Sequence, residues 1–185
     1  MHLLMRQNRL ARRAFLFLPL MLAACTGPRL EEAAQNGSTD QVSQLIDKGA
    51  DLNSQDKYGY TALHWAAYEG QLATVKLLVE RGAKLEIKDN SGATPLLVAA
   101  KRGFPDVVKY LLGRGASPDV ADNDGWTALH YAARNGYPEI VQMLVEHNAD
   151  PTVKTLDTAQ TPLALAVEYG RDDVVKALRE KGAKE

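Results

Sequence analysis

The sequence predicts an all-α solenoid, a row of helix pairs stacked side by side, on the evidence of three residue series in phase with one another. Thr61-Ala-Leu-His-Trp-Ala-Ala, Thr94-Pro-Leu-Leu-Val-Ala-Ala, Thr127-Ala-Leu-His-Tyr-Ala-Ala and Thr161-Pro-Leu-Ala-Leu-Ala-Val place their threonines 33, 33 and 34 residues apart. Gly37, Gly70, Gly103, Gly136 and Gly170 keep nearly the same interval, and Gly49, Gly82, Gly115, Asn148 and Gly182 follow each of them by 12 residues. Self-similarity at such a period marks a repeat architecture. A unit of this size cannot bury its apolar face alone, so neighbouring units must stack into a continuous core.

Each element of the unit has a local cause. Asp56-Lys-Tyr-Gly59, Asp89-Asn-Ser-Gly92 and Asp122-Asn-Asp-Gly125 put Asp first and Gly last, the pattern of a tight turn. The threonine that follows caps a helix, and Pro95 or Pro162 directly after it suits the first helical position. That helix runs about two turns on small residues such as Ala66 and Ala67, until Gly70 permits a left-handed C-terminus. A second helix carries Val75, Leu78 and Val79, with matching sets at Val108, Leu111 and Leu112, at Val141, Leu144 and Val145, and at Val174, Val175 and Leu178. Spacing of three and four residues marks one buried face. Asn148 replaces glycine in its series, and asparagine also accepts a left-handed backbone.

These motifs resemble the ankyrin repeat over residues 30 to 185: T-[PA]-L-H-x-A-A, then G, V-V-K-x-L-L and G-A-D at a 33-residue period. The resemblance implies short β-hairpin fingers between the helix pairs. Residues 30–55 read as a first helix pair without a finger, 56–88, 89–121 and 122–154 as full units, and 155–185 as the last unit. Before Thr161, the segment Lys154-Thr-Leu-Asp-Thr-Ala-Gln160 has one residue too many and no turn glycine, so the shape of the last finger stays open.

Ahead of the array, residues 1–24 carry Arg6, Arg9, Arg12 and Arg13 and no acidic residue, followed by the 11-residue apolar run Ala14 to Ala24. This is the build of a secretory signal peptide. At about 1.5 Å per residue, the run reaches about half of a ~30 Å hydrocarbon core, which disfavours a permanent transmembrane helix. Leu22-Ala23-Ala24-Cys25 resembles the bacterial lipobox. That resemblance implies lipidation of Cys25, the only cysteine, with 25–29 as the anchored linker. An ordinary signal peptide cut nearby, leaving Cys25 incidental, is the alternative. By resemblance to enteric lipoproteins, Thr26 in place of Asp implies no retention at the inner membrane. The outer membrane, facing the periplasm, is therefore favoured, although that sorting rule varies between bacteria.

Composition bounds the partner. With 45% hydrophobic and 24% charged residues the chain is an ordinary soluble folded protein. Without the first 24 residues it holds 18 Lys+Arg against 23 Asp+Glu, a formal charge of −5, which argues against nucleic acid. His64 and His130 stand 66 residues apart with Leu97 at the intervening position, so they do not read as a metal pair. In the family this histidine braces the turn and helix start. Asp119 to Gly125 has the look of a calcium loop but places Tyr131 where the twelfth, acidic ligand belongs. There is no G-x-S-x-G, H-E-x-x-H or P-loop pattern. The expectation is a non-enzyme without cofactor, metal or small-molecule substrate.

Positions 33 apart form columns across the stack. One is Tyr60, Ala93, Trp126 and Gln160; another is Tyr68, Lys101, Arg134 and Glu168; beside it lie Glu69, Arg102, Asn135 and Tyr169. In ankyrin proteins such positions line the concave contact surface, and aromatics with arginine are the usual interface anchors. The expected partner-binding residues are therefore Tyr58, Tyr60, Tyr68, Lys101, Arg102, Trp126 and Arg134. A basic stripe on a negative chain implies an acidic patch on the partner. The bland alternative is that the rings cover seams between units and the cations are solvated. Trp65 and Tyr131 are assigned to packing. Together these readings give a protein-binding module tethered to the bacterial envelope, or else an immunity protein that blocks an exported toxic enzyme through the same face.

Overall fold

The computed structural model describes residues 29–183. They form five helix pairs: α1 (Leu30–Gln35) with α2 (Thr39–Asp47), α3 (Ala62–Tyr68) with α4 (Leu72–Glu80), α5 (Pro95–Arg102) with α6 (Pro105–Gly113), α7 (Ala128–Asn135) with α8 (Pro138–Glu146), and α9 (Pro162–Glu168) with α10 (Asp172–Glu180). The odd-numbered helices pack on one another in series as an inner row, and the even-numbered ones form an outer row behind them. The signal and lipidation readings at 1–24 and Cys25 lie outside the described residues.

Capping and small side chains explain the inner row. The Thr61 hydroxyl accepts from the His64 backbone N–H, and the His64 ring answers the Thr61 N–H, closing a capping box; Thr127 and His130 repeat it. Each short helix ends on a glycine. At Gly70 the N–H reaches the Ala67 carbonyl and the Gln71 N–H reaches Ala66, a Schellman closure. Ala66, Ala67, Ala99, Ala100, Ala132 and Ala133 are fully buried, which lets neighbouring backbones approach closely. In the outer row Val75, Leu78, Val108, Leu111, Val141, Leu144, Val174 and Leu178 are buried, while Val79, Val145 and Val175 are only partly covered. Asn148 takes a φ of 63°, in register with the glycines.

The described residues contain no β-strand, so the hairpin fingers implied by the family resemblance are not seen. The reason lies in how the finger amides are satisfied. Each full finger is closed by one long backbone bond, Asp56 N to Tyr60 O, Asp89 N to Ala93 O and Asp122 N to Trp126 O, and by a tight turn inside it. The aspartate carboxylate takes the next amides: Asp56 Oδ1 accepts from Tyr58 N at 2.8 Å and Tyr60 N at 2.9 Å. Successive fingers share one backbone–backbone bond each, Asn90 N to Tyr58 O, Asn123 N to Ser91 O and Leu156 N to Asp124 O, beside side-chain bonds such as Asn90 Nδ2 to the Lys57 carbonyl, so no backbone ladder develops. In the last unit Thr155 stands in for aspartate, its N–H reaches Gln160 O one residue further on, and Ala159 turns the chain at a φ of 52°.

Candidate functional site: an aromatic and cationic face

The finger turns and the inner helices place two groups of rings on one face. In the first, the Asp56 carboxylate sets the turn that carries Tyr58 and Tyr60, and its Oδ2 accepts from Trp65 Nε1 at 2.9 Å. Trp65 then lies 4.9 Å from Tyr60, 5.9 Å from Tyr68 and 6.5 Å from Tyr58, measured between ring centres. Most of these contacts are tilted or edge-to-face, the geometry that opposes ring quadrupoles favourably. The rings border a shallow hollow of about 400 Å³ whose far wall is Asp89, Asn90 and Ser91 of the next finger. Burial, and after it the charge of Asp89, pushes the Tyr60 phenol up to about 12, so it stays protonated. Tyr58 is the most open ring, at 53% exposure.

The second group repeats the design one full unit beyond the next. Asp122 Oδ1 accepts from Asp124 N and Trp126 N, and Oδ2 accepts from the Tyr131 hydroxyl at 2.8 Å. Burial and this bond raise the Tyr131 phenol above its ordinary range. Trp126 packs 4.9 Å from Tyr131. Ala93, Leu97, Val98 and Tyr131 form a small apolar cluster, and Tyr68 and Trp126 pack against it from either side, joining the two groups.

Each of the three cations lies over a ring, Lys101 and Arg102 at exposed positions and Arg134 at a half-buried one. Arg102 sits 4.3 Å over Tyr68 and donates to the Tyr68 carbonyl, Lys101 sits 4.5 Å over Tyr131, and Arg134 lies between Trp126 at 5.5 Å and Tyr169 at 5.0 Å. Among the described residues none of the three pairs with a carboxylate, whereas Arg81–Asp47 and Arg114–Glu80 form ion pairs on the outer row. Lys101 and Arg102 each reach across a seam to a ring of a neighbouring unit, so the stripe also staples the stack.

The structure therefore gathers Tyr58, Tyr60 and Tyr68 with Arg102, and Trp126 with Lys101 and Arg134. Sequence reasoning assigns Trp65 and Tyr131 to packing; Tyr131 is buried, but Trp65 is half-buried and lines the hollow. It also leaves out Asp89, and places Tyr169 in a contact column without counting it among the expected partner-binding residues. The signal for Asp89 is in the column Trp65, Val98, Tyr131, where the middle unit lacks a donor for its finger carboxylate.

The histidines serve the scaffold. His64 Nδ1 faces the Thr61 N–H at 3.1 Å, so it accepts, and Nε2 keeps the proton and donates to the Ala93 carbonyl at 3.1 Å in the next unit. His130 does the same toward the Val153 and Gln160 carbonyls. Burial holds both rings below the usual histidine range, hence neutral. Among the described residues no three His, Cys, Asp or Glu side chains cluster as a metal site, and no helix is long and apolar enough to cross a membrane.

Comparison with known proteins agrees with this architecture. The family described as "Ankyrin repeats (3 copies)" matches residues 30–122 and again 98–185. The "Ankyrin repeat domain-containing protein SAT10" of Stachybotrys chartarum is 51% identical over 39 residues, 21% of this chain and 2% of that protein. The "Neurogenic locus notch homolog protein 1" of Xenopus tropicalis is 46% identical over 56 residues, 28% of this chain, and that of Danio rerio matches to the same degree. In all three the match spans about 2% of the relative's length, so the likeness is to their repeats alone. The repeat period, the capped helix pairs and the match along residues 30–185 place this chain in the ankyrin-repeat family.

Proposed function

We propose that this chain is a non-catalytic binding module that holds a partner protein on the face formed by its finger turns and inner helices. The observation that carries the reading is the continuous row of half-exposed rings and carboxylate-free cations on that face. Aromatics and arginine dominate interface energetics, because they bury large areas at little conformational cost. Ankyrin repeats generally mediate protein–protein interaction, and the family is typically non-catalytic, which supports this reading.

Tethering belongs to the same proposal. The basic leader, its 11-residue apolar run and Leu22-Ala23-Ala24-Cys25 support a lipid anchor on Cys25 and a partner in the bacterial envelope. Intact-mass analysis of membrane-associated protein should find diacylglyceryl and acyl groups on Cys25, and Cys25→Ala should move the protein to the soluble fraction. Unmodified Cys25 in that material would end this part of the reading.

Tyr60 and Trp126 brace the fold as well as facing outward, so their removal mixes binding with stability. The cleaner probe is Tyr58→Ala, Arg102→Ala and Tyr169→Ala together, all at exposed positions. On immobilised protein exposed to envelope extract, the variant should lose the protein that the unaltered chain captures, while its melting curve stays within a few degrees. Undiminished capture by this variant would overturn the choice of face.

A further inference from the structure

We infer that the hollow on the first full unit receives a lysine ammonium group presented by the partner, which deepens the reading of this face and rests on it. The carboxylate at its wall is the starting point. Asp89 is 8% exposed, and its Oδ1 already accepts from Ser91 N at 2.8 Å, Ser91 Oγ at 2.7 Å and Ala93 N at 2.9 Å. Its Oδ2 accepts nothing among the described residues. In the sister fingers the corresponding oxygen is bound by Trp65 Nε1 at 2.9 Å and by the Tyr131 hydroxyl at 2.8 Å. The residue at that position for Asp89 is Val98, an alkyl group that donates nothing.

With Oδ1 committed to three donors, Oδ2 is left facing the hollow with only water to serve it, and a cation supplied from outside exchanges that water for a charge-assisted bond in a partly desolvated place. The rest of the hollow suits the same guest. Tyr58, Tyr60, Trp65 and Tyr68 surround it with tilted rings, and ring faces attract a desolvated cation. The chain's own cations do not fill the place: Lys57 lies 4.8 Å from the Tyr58 ring and Arg102 4.3 Å from Tyr68, and neither forms an ion pair with Asp89. One free oxygen selects the head group. A guanidinium fork is matched by two carboxylate oxygens, whereas a point donor on a flexible alkyl stem needs only one.

The test uses the full chain labelled with nitrogen-15 and three capped tripeptides, Gly-X-Gly, in which X is lysine, arginine or norleucine. The chain has two tryptophans, so the Trp65 indole reports on the hollow while Trp126 serves as the internal control. The lysine peptide should shift the Trp65 signal saturably and bind at least about tenfold more tightly than the norleucine peptide, because only the ammonium differs materially between them. Arginine should bind more weakly than lysine. Asp89→Asn keeps the three bonds to Oδ1 and should reduce lysine binding about tenfold; Tyr58→Ala, at an open position, should weaken it too. Equal binding of lysine and norleucine by the unaltered chain, or a lysine response at Trp126 in place of Trp65, would overturn the inference. If lysine selectivity were absent while the three-position variant still lost its captured partner, this inference alone would fall. If selectivity were present while that variant captured normally, the wider reading of the face would fall instead.

Discussion

Acid should destabilise this array well before its carboxylates titrate, through His64 and His130. Both rings are fully buried, and each Nδ1 accepts the backbone N–H of the capping threonine at 3.1 Å. Protonation would set an N–H against an N–H and break the cap. Burial, the largest cause, lowers both values in the folded state, while the unfolded chain keeps the ordinary 6.5. Below 6.5 the unfolded state binds more protons than the folded one, so stability is complete above that pH and falls as pH drops toward the folded values. The limiting slope is about 1.4 kcal/mol per histidine per pH unit. From pH 7.5 to 5.5 the pair should remove up to about 2.7 kcal/mol, a large share of the 5–15 kcal/mol typical of a folded domain. Urea unfolding followed by circular dichroism at the two pH values measures this directly. The control is His64→Leu with His130→Leu, since leucine already fills this position in the middle unit as Leu97. That variant should start less stable but lose far less on acidification. An equal loss in both proteins would refute the assignment of the acid sensitivity to these rings.

Two further perturbations separate local causes in the same assay. Gly92 and Gly115 both have left-handed φ values, 84° and 87°, but a Cβ on Gly92 would come within 2.9 Å of the Asn123 backbone nitrogen while one on Gly115 meets open space. Both alanine variants should pay the backbone strain of about 1–2 kcal/mol, and Gly92→Ala should cost clearly more because fingers must separate; equal losses would show that finger contact contributes little. Asp122→Ala removes three bonds and should cost about 3 kcal/mol, whereas Tyr131→Phe removes one of them and should cost about 1.5 kcal/mol. If Tyr131→Phe proved as damaging as Asp122→Ala, the phenol and not the turn would be what the carboxylate chiefly serves.

Much of the scaffold was readable because each repeat states its own register. Threonine caps, terminal glycines and apolar triplets recur at one period, and the substitution of Asn148 for glycine falls on a φ of 63°. The fingers were read less well, since family resemblance implies strands where aspartate side chains in fact satisfy the amides that a ladder would pair. The site divides in the same way. Trp65 and Tyr131 occupy one column, yet Tyr131 is buried under Ala93, Leu97 and Val98 of the preceding unit, while the positions one period before Trp65 hold Glu31 and Glu32. Glu31 is held by the Ser54 hydroxyl and Glu32 is exposed, so these two positions supply no apolar cover to the indole. A column read by itself cannot reveal this; the neighbouring column must be read with it.

That difference decides which part of the face is the readier anchor. An acidic group on the partner would have to draw Arg102, Lys101 or Arg134 from rings they already occupy, giving up about 0.5–1 kcal/mol for each cation. Because Lys101 and Arg102 lie on rings of neighbouring units, the same exchange loosens the stack. Asp89 has no such competitor: its free oxygen has no internal donor to lose, and the rings beside it already hold their positions through Asp56 and Trp65. A cation entering the hollow displaces water but breaks no contact within the chain, and an anion meeting the stripe exchanges one set of such contacts for another. The energetic weight of a partner's contact should therefore fall on the first full unit, with the basic stripe setting orientation and approach.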